Sequence, residues 1–347
     1  MLRQGLRTQP LVSPDRSEVC RVDELGEWVR RTYGLGDGLV ALAPVGRGAE
    51  GRVWRLDVGP DSFAVKQPFA VVDEEDLRRE VGYLDHFARA GLEVPVHLGD
   101  AAGRYAVPVP AALGGGQLRV SRWVDGRPVA APATDLAGPL GTLLGRLHAA
   151  APTIGSTPSR WYLTTPSPSV WRDLVERSRD HPWVAALAGR LADLEHYAEL
   201  VAAAGPPAPH LVVGHRDLNP DNVLLGADGS LRVIDWEEAG PTDRGRELAT
   251  VLVQWHVEGP VVDEDAVHQT VAAYRAAGGT GRLDGLDAFV MVLCTEPNFL
   301  ARQVQAALDP ATTGEHREHA LAEIQELLGH LPTPSALDRV LAAAARA

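Results

Sequence analysis

An aspartate five residues ahead of an asparagine, and a second aspartate thirteen residues further on, form the most chemically suggestive spacing in the chain: Asp217, Asn222 and Asp235. A carboxylate at the first position can orient a hydroxyl and accept its proton. An amide oxygen and a second carboxylate are hard ligands that suit Mg²⁺ on nucleotide phosphates and do not suit zinc. That is the division of labour in a phosphoryl-transfer site, where alignment and charge neutralisation carry most of the rate. Taken alone, the stretch also reads as a loop of turn-capping Asp and Asn residues. What separates the two readings is whether the rest of the chain supplies a phosphate-binding cation and a glycine turn.

It supplies both, in order. Gly46, Gly48 and Gly51 make G-x-G-x-x-G. The dinucleotide-binding version of this turn needs a helix directly after it. Here the following segment, Val53 to Val58, alternates with period two and runs into Gly59-Pro60, then into Ser62 to Lys66. Strand, glycine turn, strand is a hairpin whose backbone N–H groups can approach phosphate oxygens; an ordinary glycine-rich hairpin has the same pattern. Lysine and arginine number 33, and Lys66 is the single lysine among them. Arginine is a rigid fork and lysine a compact point charge, so one lysine kept in an arginine-rich chain marks a site where the fork would not serve. Residues 73–90 follow as a helix with Asp73 as N-cap, a stripe of Leu77, Val81, Leu84, Phe87 and Ala88, and Glu80 as the carboxylate expected to pair with Lys66.

These motifs resemble the aminoglycoside phosphotransferase family of the protein-kinase-like superfamily. The resemblance spans roughly residues 40 to 255 and is strongest in HRDLNPDNVLL and VIDWEEAGPTDRGRELA. The family usually has glycine after the histidine and His-Pro-Gly before the asparagine; Arg216 and Asn219-Pro220-Asp221 stand there instead. Trp236 after Asp235 matches this family better than protein kinases, and no Ala-Pro-Glu segment follows. The resemblance implies an α+β, two-lobed fold: a small lobe with an antiparallel sheet over 1–120, a linker over 121–128, and a larger helical lobe over 129–347, with the nucleotide between the lobes. It also implies roles. Asp217 is the base, Asn222 and Asp235 hold Mg²⁺, and Gly46, Gly48, Gly51, Lys66 and Glu80 serve the nucleotide, ATP or GTP. Ser121 and Trp123 lie in the linker stretch that meets the adenine edge. The acceptor is a small hydroxylated molecule, an antibiotic or else a sugar, choline-like or homoserine-type metabolite. A nucleotide-binding pseudokinase is the non-enzyme alternative, and the presence of every expected charged residue argues against it.

Composition narrows the partners. A net charge of −13 argues against general nucleic-acid binding, and no apolar run reaches membrane-spanning length. Two distant cysteines, Cys20 and Cys294, make no disulfide framework, which with the absence of a signal-like start points to the cytoplasm. Residues 1–20 read as a loose arm and 22–33 as a helix. The patterns at 134–150, 170–180 and 182–204 are helical, and three or four helices fill 259–347. On the first of these, His148 reads as a packing or hydrogen-bonding residue beneath the Asp217 loop, and Asp243 and Glu247 read as structural acids. Glu296 and Asn298 are candidates for acceptor contact. The segment 216–270 is strongly acidic, which fits either a solvated surface or attraction for a cationic acceptor.

Overall fold

The computed structural model describes residues 16–47, 51–129, 133–207 and 210–347. Of these, the residues up to Val129 together with Asp221–Glu238 form one compact unit, and those from 133 to Pro220 together with Ala239–Ala347 form another. Residues 221–238, assigned from the sequence to the second lobe, thus pack with the first unit.

The first unit opens with helix α1 (Arg16–Tyr33), which begins six residues before the expected start. Strands β1 (Val40–Arg47), β2 (Gly51–Val58) and β3 (Asp61–Pro68) form an antiparallel meander. Helix α2 (Glu74–Arg89) follows, then β4 (His97–Leu98), β5 (Val107–Pro108), β6 (Gln117–Arg122) and β7 (Arg127–Pro128). The main sheet runs β1-β2-β3-β6-β4, with β5 also on β6. The inward residues of β2, Leu56 and Val58, join Phe63, Val65, Leu118 and Val120 in a core that buries Leu25, Val29 and Tyr33 of α1. Tyr33 keeps its hydroxyl satisfied by donating to the Leu118 carbonyl at 2.9 Å. Helix α2 is capped by Asp73, which accepts from the Glu75 N–H at 2.7 Å. It buries Leu77, Glu80, Val81, Leu84 and Phe87, whereas Ala88, expected in the stripe, is exposed.

The second unit starts with α3 (Ala137–Ala150), β8 (Thr153–Ile154) and helices α4 (Pro168–Arg177), α5 (Val184–Gly189) and α6 (Leu191–Ala203). The last two replace the single helix expected over 182–204. Strand β9 (Leu211–Gly214) leads to the Asp217 loop. The chain then contributes β10 (Val223–Leu225) and β11 (Leu231–Val233), a hairpin that pairs with β7 in the first unit. It returns through β12 (Gly240–Thr242), antiparallel to β9, into α7 (Arg244–His256). The hairpin of β13 (Val257–Glu258) and β14 (Val261–Val262) precedes α8 (Glu264–Ala276), α9 (Val290–Leu308), α10 (Gly314–His330) and α11 (Pro334–Ala345). Among the described residues no helix is long and apolar enough to cross a membrane.

Candidate functional site

In the second unit, β9 delivers His215, Arg216 and Asp217, and four contacts fix the loop. The buried Glu247 carboxylate of α7 accepts from the Arg216 N–H at 2.7 Å. The Trp255 indole donates to the Leu218 carbonyl at 2.8 Å, and the Asn219 amide donates to Asp217 Oδ1 at 2.9 Å. His215 accepts from the Asp217 N–H through Nδ1 at 3.3 Å. Arg216 takes φ of 66°, one of only two non-glycine residues with positive φ among those described. A left-handed conformation explains why a glycine is usual here, and it costs a residue with a side chain about 1 kcal/mol or more. The Arg216 side chain offsets this by lying over the Tyr162 ring at 4.0 Å, in space that a side chain at Gly240 would fill.

Behind the loop runs an oriented chain of hydrogen bonds. The Gly281 N–H donates to the Tyr274 hydroxyl at 2.7 Å, and Tyr274 meets His148 Nδ1 at 2.8 Å. His148 Nε2 meets Glu247 Oε2 at 3.0 Å. Burial works to raise the Glu247 pKa, but His148 and the Arg216 N–H outweigh it and hold it below the ordinary carboxylate value. Ionised Glu247 only accepts, so His148 donates from Nε2 and accepts at Nδ1 from the tyrosine. Gly214 must lack a side chain because a Cβ there would run into Glu247. His148 and Glu247 therefore form the support under the Asp217 loop.

In the first unit, Asn222 is buried directly before β10, and its carbonyl accepts from the Ile234 N–H at 2.9 Å. That bond places Asn222 beside the segment carrying Asp235. Asp235 is the other positive-φ residue, at 61°. The turn is pinned by Trp236, whose buried ring packs on Phe87 of α2 at 5.1 Å and whose indole donates to the Val233 carbonyl at 3.3 Å. Lys66 Nζ lies 2.9 Å from Asp235 Oδ1 and 2.6 Å from Glu237 Oε1. Burial opposes its charge, but the two carboxylates prevail and raise its pKa. Glu237 also contacts the Arg119 guanidinium; its own pKa is raised, by burial first and then by the neighbouring Asp235 charge.

The expected pairing of Lys66 with Glu80 is not what the structure shows. Glu80 Oε2 accepts from Arg119 at 3.0 Å, and Oε1 meets His97 Nε2 at 3.1 Å. The reason is register: Arg119 of β6 stands directly opposite Lys66 of β3 and takes the helix carboxylate. Three carboxylates (Asp235, Glu237, Glu80) thus face two permanent cations, a balance that accommodates a further positive charge. With the oxygens of Asn222 and Asp235 held in adjacent segments, the residues fit a hard divalent ion.

Other expected site residues fall as follows. Gly46 pairs with Val53 in β1, next to a bulge, and Gly51 opens β2, where a Cβ would stand 2.7 Å from the Gln67 carbonyl oxygen. Gly48 lies outside the described residues. Ser121 sits within β6 between Ala64 and His97. The Trp123 N–H donates to the Ser62 carbonyl at 3.0 Å and the Arg122 N–H to Val96 at 2.8 Å, so these two groups serve the sheet rather than a ligand. Asn298 of α9 donates to the Trp161 and Thr164 carbonyls at 3.0 and 2.7 Å, while Glu296 is buried on the same helix. Arg119 and Glu237 were not anticipated; the adjacent acids of Glu237-Glu238 directly after Trp236 were the available signal.

Residues 41–288 match the profile of the phosphotransferase enzyme family. No curated protein sequence matches the chain. Among solved structures it is similar to spectinomycin phosphotransferase in complex with ADP and spectinomycin (TM-score 0.64, 14% identity, covering 92% of this chain and 97% of that one). It is also similar to an amicoumacin kinase bound to AMP-PNP, Ca²⁺ and its antibiotic (TM-score 0.56, 16% identity, 94% and 100% covered). A third is the ethanolamine kinase of Plasmodium vivax (TM-score 0.54, 12% identity, 92% and 95% covered). At such identities the likeness is one of fold, the α+β protein-kinase-like fold expected from the sequence.

Proposed function

The chain belongs to the phosphotransferase enzyme family, and on that premise we propose that it moves the γ-phosphate of a nucleoside triphosphate to a hydroxyl of a small molecule. The observation that carries this reading is the Lys66–Asp235 contact of 2.9 Å between residues 169 positions apart. It places the sole lysine against the aspartate that follows β11, with Asn222 in the neighbouring segment. Asn222 and Asp235 would hold Mg²⁺, which when bound neutralises phosphate charge and orients the transferring group. Lys66 supplies an ammonium to the phosphates. Asp217, its carboxylate fixed by Asn219 and its backbone N–H by His215, accepts the hydrogen bond of the acceptor hydroxyl and takes its proton as the phosphoryl group transfers.

For the acceptor we favour an amine-bearing, hydroxylated antibiotic, because the fold matches enzymes named for spectinomycin and amicoumacin over more than nine-tenths of this chain. Glu296 is the candidate acceptor contact; Asn298 acts by shaping the 161–164 segment. The test is phosphate release into acceptor with Mg²⁺ and ATP or GTP, across an antibiotic panel and an amino-alcohol panel that includes ethanolamine. Asp217→Asn should lower turnover by about 10²-fold or more while leaving nucleotide affinity largely intact. Turnover unchanged by that substitution would remove Asp217 from its role. Turnover confined to amino alcohols would move the acceptor to small metabolites.

A further inference from the structure

We propose that Lys66 is oriented by a relay running through Glu237 and Arg119 to Glu80, making Glu237 and Arg119 positioning residues for the phosphate-binding lysine; the phosphate role of Lys66 rests on the reading above. Lys66 and Arg119 are direct cross-strand partners on β3 and β6. Like charges opposite each other across a strand pair are destabilising unless a counter-charge separates them. Glu237 does so with one oxygen: Oε1 is 2.6 Å from Lys66 Nζ and is also in contact with Arg119 Nη2. The other end of the same guanidinium, Nη1, reaches Glu80 Oε2 at 3.0 Å. The remaining Glu80 oxygen is engaged by His97. A planar fork can hold two carboxylates through different nitrogens at fixed spacing, which an ammonium cannot.

Exposure sorts the carboxylates by task. The Asp235 side chain is 39% exposed, Glu237 23% and Glu80 9%. Asp235 is therefore the one presented to an incoming metal. With Asp235 engaged by such an ion, Lys66 would keep Glu237, and through Arg119 it would stay tied to α2. A direct lysine-to-helix pair is replaced by one with two extra members.

The single lysine makes this measurable, because a nucleotide acyl phosphate, which hands its acyl group to an amine lying at the phosphates, reports on Lys66 alone among lysines. In the full chain at saturating probe, with the product mapped by mass spectrometry, Glu237→Gln and Arg119→Lys should each lower labelling of Lys66 about tenfold, because each loses the contact shared between the two strands. Arg119→Lys keeps the charge and loses only the fork, which covers the case in which the glutamine variant does not fold. Unchanged labelling in both variants overturns the relay. Whether Mg²⁺ with ATP or GTP then protects the amine tests the phosphotransferase reading separately.

Discussion

Glu247→Gln is the most informative single substitution in the support of the Asp217 loop. Each Glu247 oxygen takes one donor, Arg216 N–H at 2.7 Å and His148 Nε2 at 3.0 Å. Glutamine has the same shape and one acceptor oxygen. It therefore either sets its NH₂ against a donor or forces His148 into the other tautomer, which leaves the buried Tyr274 hydroxyl proton without its acceptor. One orphaned polar group in a dry interior costs about 1–3 kcal/mol. We expect a loss near 2 kcal/mol at pH 7, or roughly 3 °C in the melting temperature. Glu247→Ala removes both acceptors and should cost about 3–5 kcal/mol. The pH dependence follows from the lowered pKa of Glu247. Its contribution is fully present above the ordinary value of 4.5 and is lost as pH falls through the folded value. As pH falls from 7 toward 4 the gap between native and glutamine proteins should narrow. Denaturant unfolding followed by tryptophan fluorescence reads both quantities. A glutamine variant within about 0.5 kcal/mol of native, or a gap constant from pH 7 to 4, would refute the oriented network.

His256 carries a second pH signature: burial depresses its pKa from 6.5 to about 4, and its Nε2 meets Thr270 Oγ1 at 2.8 Å. A neutral folded histidine stabilises fully above pH 6.5, and that contribution fades toward pH 4, so native stability should lose about 3 kcal/mol relative to His256→Gln over this range; parallel curves would contradict it. At Arg216 the positive φ predicts that Arg216→Gly is more stable than Arg216→Ala by about 1 kcal/mol, since alanine keeps the strain and loses the Tyr162 stack. Thermal melts of the two variants settle the order.

What was legible in the sequence was local. Alternation in β2, the Asp73 cap and the order of glycine turn, lysine, helix carboxylate and Asp-Asn loop each depend on neighbours within a few residues. Asp243 was read as structural, and it caps α7 by accepting from the Gly245 N–H at 2.7 Å. What was hidden depends on register between distant strands. Nothing near Arg119 in the chain says that it stands opposite Lys66, so Glu80 was assigned to the wrong cation. The Trp123 N–H was lost to Ser62 for the same reason. The early start of α1 was hidden by Pro10 and Pro14, which precede Arg16 and leave the helix free to begin there. The acidity of 216–270 also has local uses: Asp243 and Asp263 cap helices, Glu237 sits between two cations, Glu247 holds a buried hydrogen-bond chain, and Glu264 binds Arg339.

The assignment of Asp221–Glu238 to the first unit has a consequence for how the protein is made. A ribosome completes that unit only after synthesising residues 130–220, a delay of roughly 5–20 s at ordinary elongation rates. During that interval Phe87 lacks Trp236, and Lys66 faces Arg119 without the carboxylate that separates them. The nascent first unit is thus unfinished around Lys66 and Phe87, and a fragment ending near Val129 lacks part of its own packing.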